Sequence, residues 1–261
     1  GPQVGNALIR VEETRNLAPV LPLGVIVADT EGGMGYMVEQ CLQNKLKDRG
    51  IVKEIATMVT QVLVDPNDPS IQNPTKFVGP VYPSEKIEEM SNRPGWTLKE
   101  DIGRGWRRVV PSPVPVEIVG KNIIKLLLEH DIIIIAAGGG GIPVYTDEKN
   151  GWYEGIDAVI DKDLASAVMG RDVRAEELMI LTEVEKVALN FGRANQQYLD
   201  KLTIAEAKKY MQEGHFPPGS MGPKIQAAIN FLEGGGEKVV ITSVEKSIDA
   251  VTGRAGTVIQ R

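Results

Sequence analysis

Apolar residues along this chain switch between two spacings, and the clearest change of period lies at Asp131 to Pro143, DIIIIAAGGGGIP. Four consecutive isoleucines are too short a run for a helix and leave no polar face. Such a run predicts a central strand of a parallel sheet, covered on both sides. Just upstream, between Glu117 and His130, Ile118, Ile123, Ile124, Leu127 and Leu128 recur at helical spacing, so a helix feeds the strand. Downstream come Gly138, Gly139, Gly140 and Gly141, where no side chain blocks a ligand approaching the backbone. Ligands of open α/β sheets sit beyond the carboxyl ends of strands, which makes these glycines a candidate anion shelf. A flexible turn, with glycines for tight packing, accounts for the stretch equally well.

The same reading extends to both sides. Gly1 to Gly5 reads as a loop turning into a helix that carries Ala7, Leu8 and Val11. Residues 19–28 (PVLPLGVIVA) form a proline-rich entry and a short apolar segment. Met34, Met37, Val38, Cys41, Leu42 and Leu46 then predict a helix that stops at Gly50. Ile55 to Val64 is β-branched and partly alternating, which predicts one strand. From Asp65 to Pro83 prolines recur and the period fades; GRGWRRVVPSP, Gly103 to Pro113, brings the chain back. We expect a small protruding subdomain over residues 75–110, inserted into a core of residues 1–74 and 111–261.

In the second half, Asp157 or Asp161 is placed to cap a helix through Leu164, Ala165, Ala167 and Val168. Glu177 to Thr182 predicts a strand, and Lys186 to Phe191 a second short apolar piece. Thr203 with Glu206 has the spacing of a capping box for a helix running to Gly214. Pro223 is expected in the first position of a helix carrying Ile225, Ala228, Ile229 and Leu232, stopped by Gly234 to Gly236. Lys238 to Thr242 and Gly256 to Ile259 close the sheet. Alternating strand and helix of this kind predict an α/β fold, three-layer αβα with a mainly parallel central sheet.

Composition narrows the chemistry. The 261 residues are 42% hydrophobic and 25% charged, an ordinary globular balance. A net charge of -6 argues against nucleic acid as a partner, since such binding leaves a basic footprint. Cys41 is the only cysteine, so no intrachain disulfide and no multi-cysteine metal site can form. No apolar run approaches the ~18 residues of a membrane span and no secretory segment is visible, so no membrane partner and a cytoplasmic location are expected. His130 and His215 are the only histidines, which disfavours a histidine-based triad or metal site. Neither G-x-x-x-x-G-K-[ST] nor G-x-G-x-x-G occurs.

Glycine and lysine remain. Lys162 stands between Asp161 and Asp163 at a helix start, where cations are electrostatically out of place. Lys224 opens another helix, after Gly219, Gly222 and Pro223, where free backbone N–H groups favour an anion. Two such lysines and a glycine shelf suit phosphoryl transfer, which needs positioning and positive charge more than a base. An acceptor that is already a carboxylate has no proton to lose.

Six segments, in order, give the chain a resemblance to the carbamate kinases of the amino acid kinase superfamily along nearly its whole length. They are GPQVG (Gly1 to Gly5), ADTEGGMGY (Ala28 to Tyr36), KEDIGRGWRRVVPSP (Lys99 to Pro113), GGGGIPV (Gly138 to Val144), AVIDKDLASA (Ala158 to Ala167) and GSMGPK (Gly219 to Lys224). The second has Thr30 where the family has serine. The resemblance implies phosphoryl transfer between carbamoyl phosphate and ADP, giving ATP and carbamate, with Mg²⁺ on the nucleotide. It implies that Lys162 meets the transferred group, Asp163 orients the lysines, Lys224 meets the nucleotide phosphates and Lys99 reaches over the site. Gly1, Gly138, Gly139 and Gly140 would line the carbamoyl phosphate pocket. Thr182, Val184, Val187, Met221, Gly222 and Pro223 would form the nucleotide side, and the assembly would be a homodimer. The family's first strand and GGNAL-type glycine loop have no counterpart here, so the native protein is expected to be longer. The competing expectations are another phosphotransferase of the superfamily and an inactive nucleotide-binding fragment.

Overall fold

Val4 and Leu8 fall on one helical face, and the first helix, Pro2–Glu13, buries them against Leu23, Ile26 and Val27 of the second, Leu23–Asp48. The computed structural model describes residues 2–101 and 103–261. They form two units, the first ending at Lys162 and the second starting at Asp163. The second helix begins earlier than its methionines suggest and absorbs most of the segment 19–28. Leu23, Val27, Glu31 and Gly35 share its buried stripe, and Asp157 Oδ1 accepts the Leu23 N–H at 3.2 Å.

The expected strand from 55 to 64 is two strands. Ile55–Met58 runs parallel to Ile133–Ala136, Ile55 opposite Ile133. Gln61–Val64 lies in a different, four-stranded sheet, parallel to Ile142–Thr146 and antiparallel to Pro115–Ile118. Tyr153–Gly155 pairs antiparallel with Ile142–Thr146 at the far side. Thr60 causes the break: its N–H leaves the ladder for Glu31 Oε2 at 2.8 Å, and its hydroxyl donates to Met58 O at 2.8 Å. The isoleucine strand steps between the same two sheets through Gly138–Gly140. Among the described residues it pairs on one side only and is half-buried, where the apolar run predicted cover on both faces.

Glu117 and Ile118 belong to the strand Pro115–Ile118 rather than to the helix, which is Lys121–Glu129. Gly120, at φ 83, separates the two, a left-handed turn that ends strand and starts helix in one residue. Lys76–Tyr82, Gly105–Val110 and Thr97–Asp101 form their own antiparallel sheet, with Gly105–Val110 in the middle. Two cations lie over Trp96 beside it: Arg93 is 5.0 Å and Arg108 4.6 Å from the ring centroid. Arg93 also pairs with Glu12 of the first helix, and Lys76 Nζ lies 3.1 Å from Asp161 Oδ2.

The second unit is built on the strand order Glu177–Thr182, Lys238–Ser243, Thr257–Gln260, Lys201–Thr203. Glu177–Thr182 and Lys238–Ser243 are parallel, so both present their carboxyl ends, Thr182 and Ser243, at one edge. Helix Met221–Glu233 lays Ile225, Ala228, Ile229 and Leu232 into a core shared with Val239, Ile241 and Ile259. Each large side chain buried there contributes about 1.5–3 kcal/mol. Thr203 and Glu206 cap helix Ile204–Gln212 reciprocally, as their spacing predicts. Lys186 to Phe191 holds a two-residue strand, Ala188–Leu189, paired with Gln197–Tyr198.

Candidate active site

Thr60 organises the first unit's site. Its hydroxyl accepts the Ala137 N–H at 2.9 Å and its carbonyl accepts the Ile142 N–H at 2.8 Å. One residue thereby ties both ends of the glycine turn to the break between the sheets. Ala137 itself is left-handed, at φ 52, which directs Gly138 and Gly139 away from the ladder. The glycines then divide by role. A Cβ on Gly140 would stand 2.4 Å from Ile160 O, and Gly140 holds φ 124. At Gly138 the nearest atom to such a Cβ is Glu31 Cγ at 3.9 Å, and at Gly139 nothing lies within 4 Å. Gly140 is therefore glycine for packing, while Gly138 and Gly139 present bare backbone to open space.

That space is a cavity of about 410 Å³, lined by Gly138, Gly139, Gly141, Gln3, Glu31 and Lys162 among others. Lys162 is the first residue of helix Lys162–Val173 and is exposed. Lys162, Gly138 and Gly139 thus share one cavity. Gly1 lies outside the described residues.

Glu31 is the residue that motif reading passes over. It is 5% exposed, Oε2 holds the Thr60 N–H, and Oε1 is buried with no hydrogen-bond partner among the described residues. Burial pushes its carboxyl up to about 7, against the smaller downward pull of the Thr60 N–H. The sequence does carry a signal: Glu31 falls four residues after Val27 and four before Gly35, on the helix's buried stripe.

In the second unit, Lys224 Nζ donates to Asp163 Oδ2 at 2.8 Å, and both residues are buried. Helix Met221–Glu233 starts at Met221 after Ser220, so Pro223 sits within the first turn rather than at its first position. Its missing N–H still costs nothing there, because first-turn donors have no intrahelical acceptor. The Gly222 N–H donates to Pro217 O at 2.9 Å, and a Cβ at Gly222 would meet that oxygen at 2.9 Å. Met221 and Pro223 are half-buried, as are Thr182 and Val184. Val187 is fully buried in the apolar core, its N–H on Thr257 Oγ1 at 2.8 Å. Lys99, in strand Thr97–Asp101, donates to Asn73 Oδ1 at 3.0 Å. Among the described residues no group of three His, Cys, Asp or Glu side chains is placed to hold a metal ion.

The chain belongs to the amino acid kinase family, whose model matches residues 82–243. Within that family, the relatives it resembles are carbamate kinases. The carbamate kinase of Thermococcus kodakarensis is 48% identical over 263 residues, spanning 100% of this chain and 83% of the relative. The carbamate kinase-like protein YahI of Escherichia coli is 48% identical over 260 residues, spanning 98% and 82%. The structure of carbamate kinase from Giardia lamblia bound to AMP-PNP superposes with a TM-score of 0.93 at 40% identity, covering 100% of this chain and 82% of that one. The α/β fold class and the carbamate kinase resemblance read from the six motifs both hold. No helix among the described residues is long and apolar enough to cross a membrane.

Proposed function

We propose that this protein is a carbamate kinase, which moves a phosphoryl group reversibly between carbamoyl phosphate and ADP to give ATP and carbamate. A terminal oxygen of ADP attacks phosphorus, the bond from phosphorus to the carbamoyl oxygen breaks, and carbamate leaves with the electron pair. No proton changes hands, so the chain's two histidines are no handicap. The observation that carries the reading is the cavity where Lys162 meets the bare backbone of Gly138 and Gly139. A cation and fixed backbone dipoles there would neutralise charge on the phosphoryl group in flight.

In this reading Lys162 touches the transferred group and Lys224 the nucleotide phosphates, with Asp163 fixing the Lys224 ammonium. Lys99 reaches over the site from the three-stranded sheet, which serves as the inserted subdomain. Thr182, Val184, Met221, Gly222 and Pro223 border the nucleotide, at the carboxyl end of a parallel pair and a helix start. Val187 supports that border from within the core. Mg²⁺ enters with the nucleotide, as part of the substrate. The enzyme acts as a cytoplasmic homodimer, which light scattering on the purified protein tests.

The deciding experiment mixes protein, Mg·ADP and carbamoyl phosphate and follows ATP. Formation of ATP that depends on Lys162 supports the reading. The equal identity to a relative named only carbamate kinase-like favours a second one, another acyl phosphate in the same site. Acyl phosphates tested side by side separate the two.

A further inference from the structure

Carbamoyl phosphate has two ends that a site must tell apart from those of other acyl phosphates. Lys162 and the glycine backbone offer charge and dipoles to the phosphoryl end, and any acyl phosphate would satisfy them. What distinguishes this substrate is the amide nitrogen, whose N–H groups need an acceptor. Glu31 lines the same cavity, its Cγ 3.9 Å from where a Gly138 Cβ would lie. One carboxyl oxygen is committed to Thr60 N–H, and the other is buried without a partner among the described residues. Buried acceptors of this kind are rare because each is a standing cost until a donor arrives.

Building on the carbamate kinase reading, we infer that Glu31 is the specificity-determining residue of the glycine-lined cavity, its Oε1 accepting an N–H of the carbamoyl group. The Thr60 contact anchors the carboxyl on the second helix, so the acceptor is held in place before substrate arrives. Sites built to hydrogen-bond a substrate N–H reject an analogue that lacks it, because their own polar atom is then left unpaired. Acetyl phosphate is that analogue, with a methyl group in place of the amine.

Glu31→Gln, assayed at about pH 8 where the wild-type carboxyl is ionised and a pure acceptor, is the test, since it is isosteric. Its carbonyl can take the Thr60 N–H, which leaves an amide donor facing a substrate donor. The expected result is a fall of about tenfold to a hundredfold in kcat/KM for carbamoyl phosphate. The KM for ADP and the turnover of acetyl phosphate should stay unchanged. Equal loss on both acyl phosphates, or no loss on either, overturns the role of Glu31 while leaving the kinase intact. Wild-type protein with no preference for carbamoyl over acetyl phosphate overturns it without any variant. Wild-type protein that makes no ATP from carbamoyl phosphate overturns the functional reading itself, and this role with it.

Discussion

Lys224 Nζ lies 2.8 Å from Asp163 Oδ2, and the two side chains are 11% and 9% exposed. One charge comes from the start of helix Met221–Glu233 and the other from the first turn of helix Lys162–Val173. Removing one member of a nearly buried pair takes the opposite charge away from the other, which costs about 3–5 kcal/mol, whereas removing both costs much less. Asp163→Asn and Lys224→Met should therefore each destabilise strongly, and the double variant less than either sum predicts. Denaturant unfolding of the four proteins measures this. Additive losses would remove the pair from any account of how the site is held.

Lys162 should behave in the opposite way. It is exposed, at a helix start where a cation gains nothing from the backbone dipoles. Lys162→Ala is expected to change stability by no more than about 0.5 kcal/mol. Turnover should nevertheless fall by about a hundredfold or more, the usual loss when a group that neutralises transition-state charge is removed. Parallel melting curves and initial rates of ATP formation check both halves. Stability and rate lost together would assign Lys162 a structural role.

The sequence makes local features legible and hides those that depend on what packs across. The Thr203–Glu206 capping box needs only two side chains and the intervening backbone, and it forms as the spacing predicts. The glycine run and the lysines at helix starts are likewise local. The break at Thr60 is not, because it depends on Glu31 arriving from a helix earlier in the chain. Reading Ile55 to Val64 as one strand follows from composition, which carries no record of that competing acceptor. Glu31 is hidden for a related reason: a glutamate inside ADTEGGMGY looks like a solvated helix face until the i, i+4 stripe is drawn through Leu23, Val27 and Gly35.

The glycine shelf makes its own contrast. Gly140→Ala would drive a Cβ to 2.4 Å from Ile160 O at a φ of 124, so it should destabilise by about 2 kcal/mol or more. Gly138→Ala meets nothing closer than 3.9 Å and needs no left-handed backbone, so it should fold normally. Its methyl group would nevertheless occupy the shelf, raising KM for carbamoyl phosphate. Melting temperature paired with KM for the two variants tests the division. A stable Gly140→Ala, or a Gly138→Ala with unaltered kinetics, would contradict it.

Stability should also depend on pH through Glu31, with a sign opposite to that of an ion-paired carboxylate. Burial raises its carboxyl from 4.5 in the unfolded chain to about 7 in the folded one. Between those values the folded protein holds a proton that the unfolded chain has lost. The folded state is thus unpenalised at low pH and loses stability progressively as pH rises through this window. Above it the penalty is constant at about 3 kcal/mol, since each tenfold difference in proton affinity between the two states is worth about 1.4 kcal/mol. Glu31→Gln has no proton to lose, so its stability relative to wild type should climb by about 3 kcal/mol from pH ~4.5 to ~8. Denaturant unfolding of both proteins across that range gives the difference directly. A flat difference would mean that the Glu31 carboxyl is solvated like a surface acid, and the unmet acceptor in the cavity would not exist.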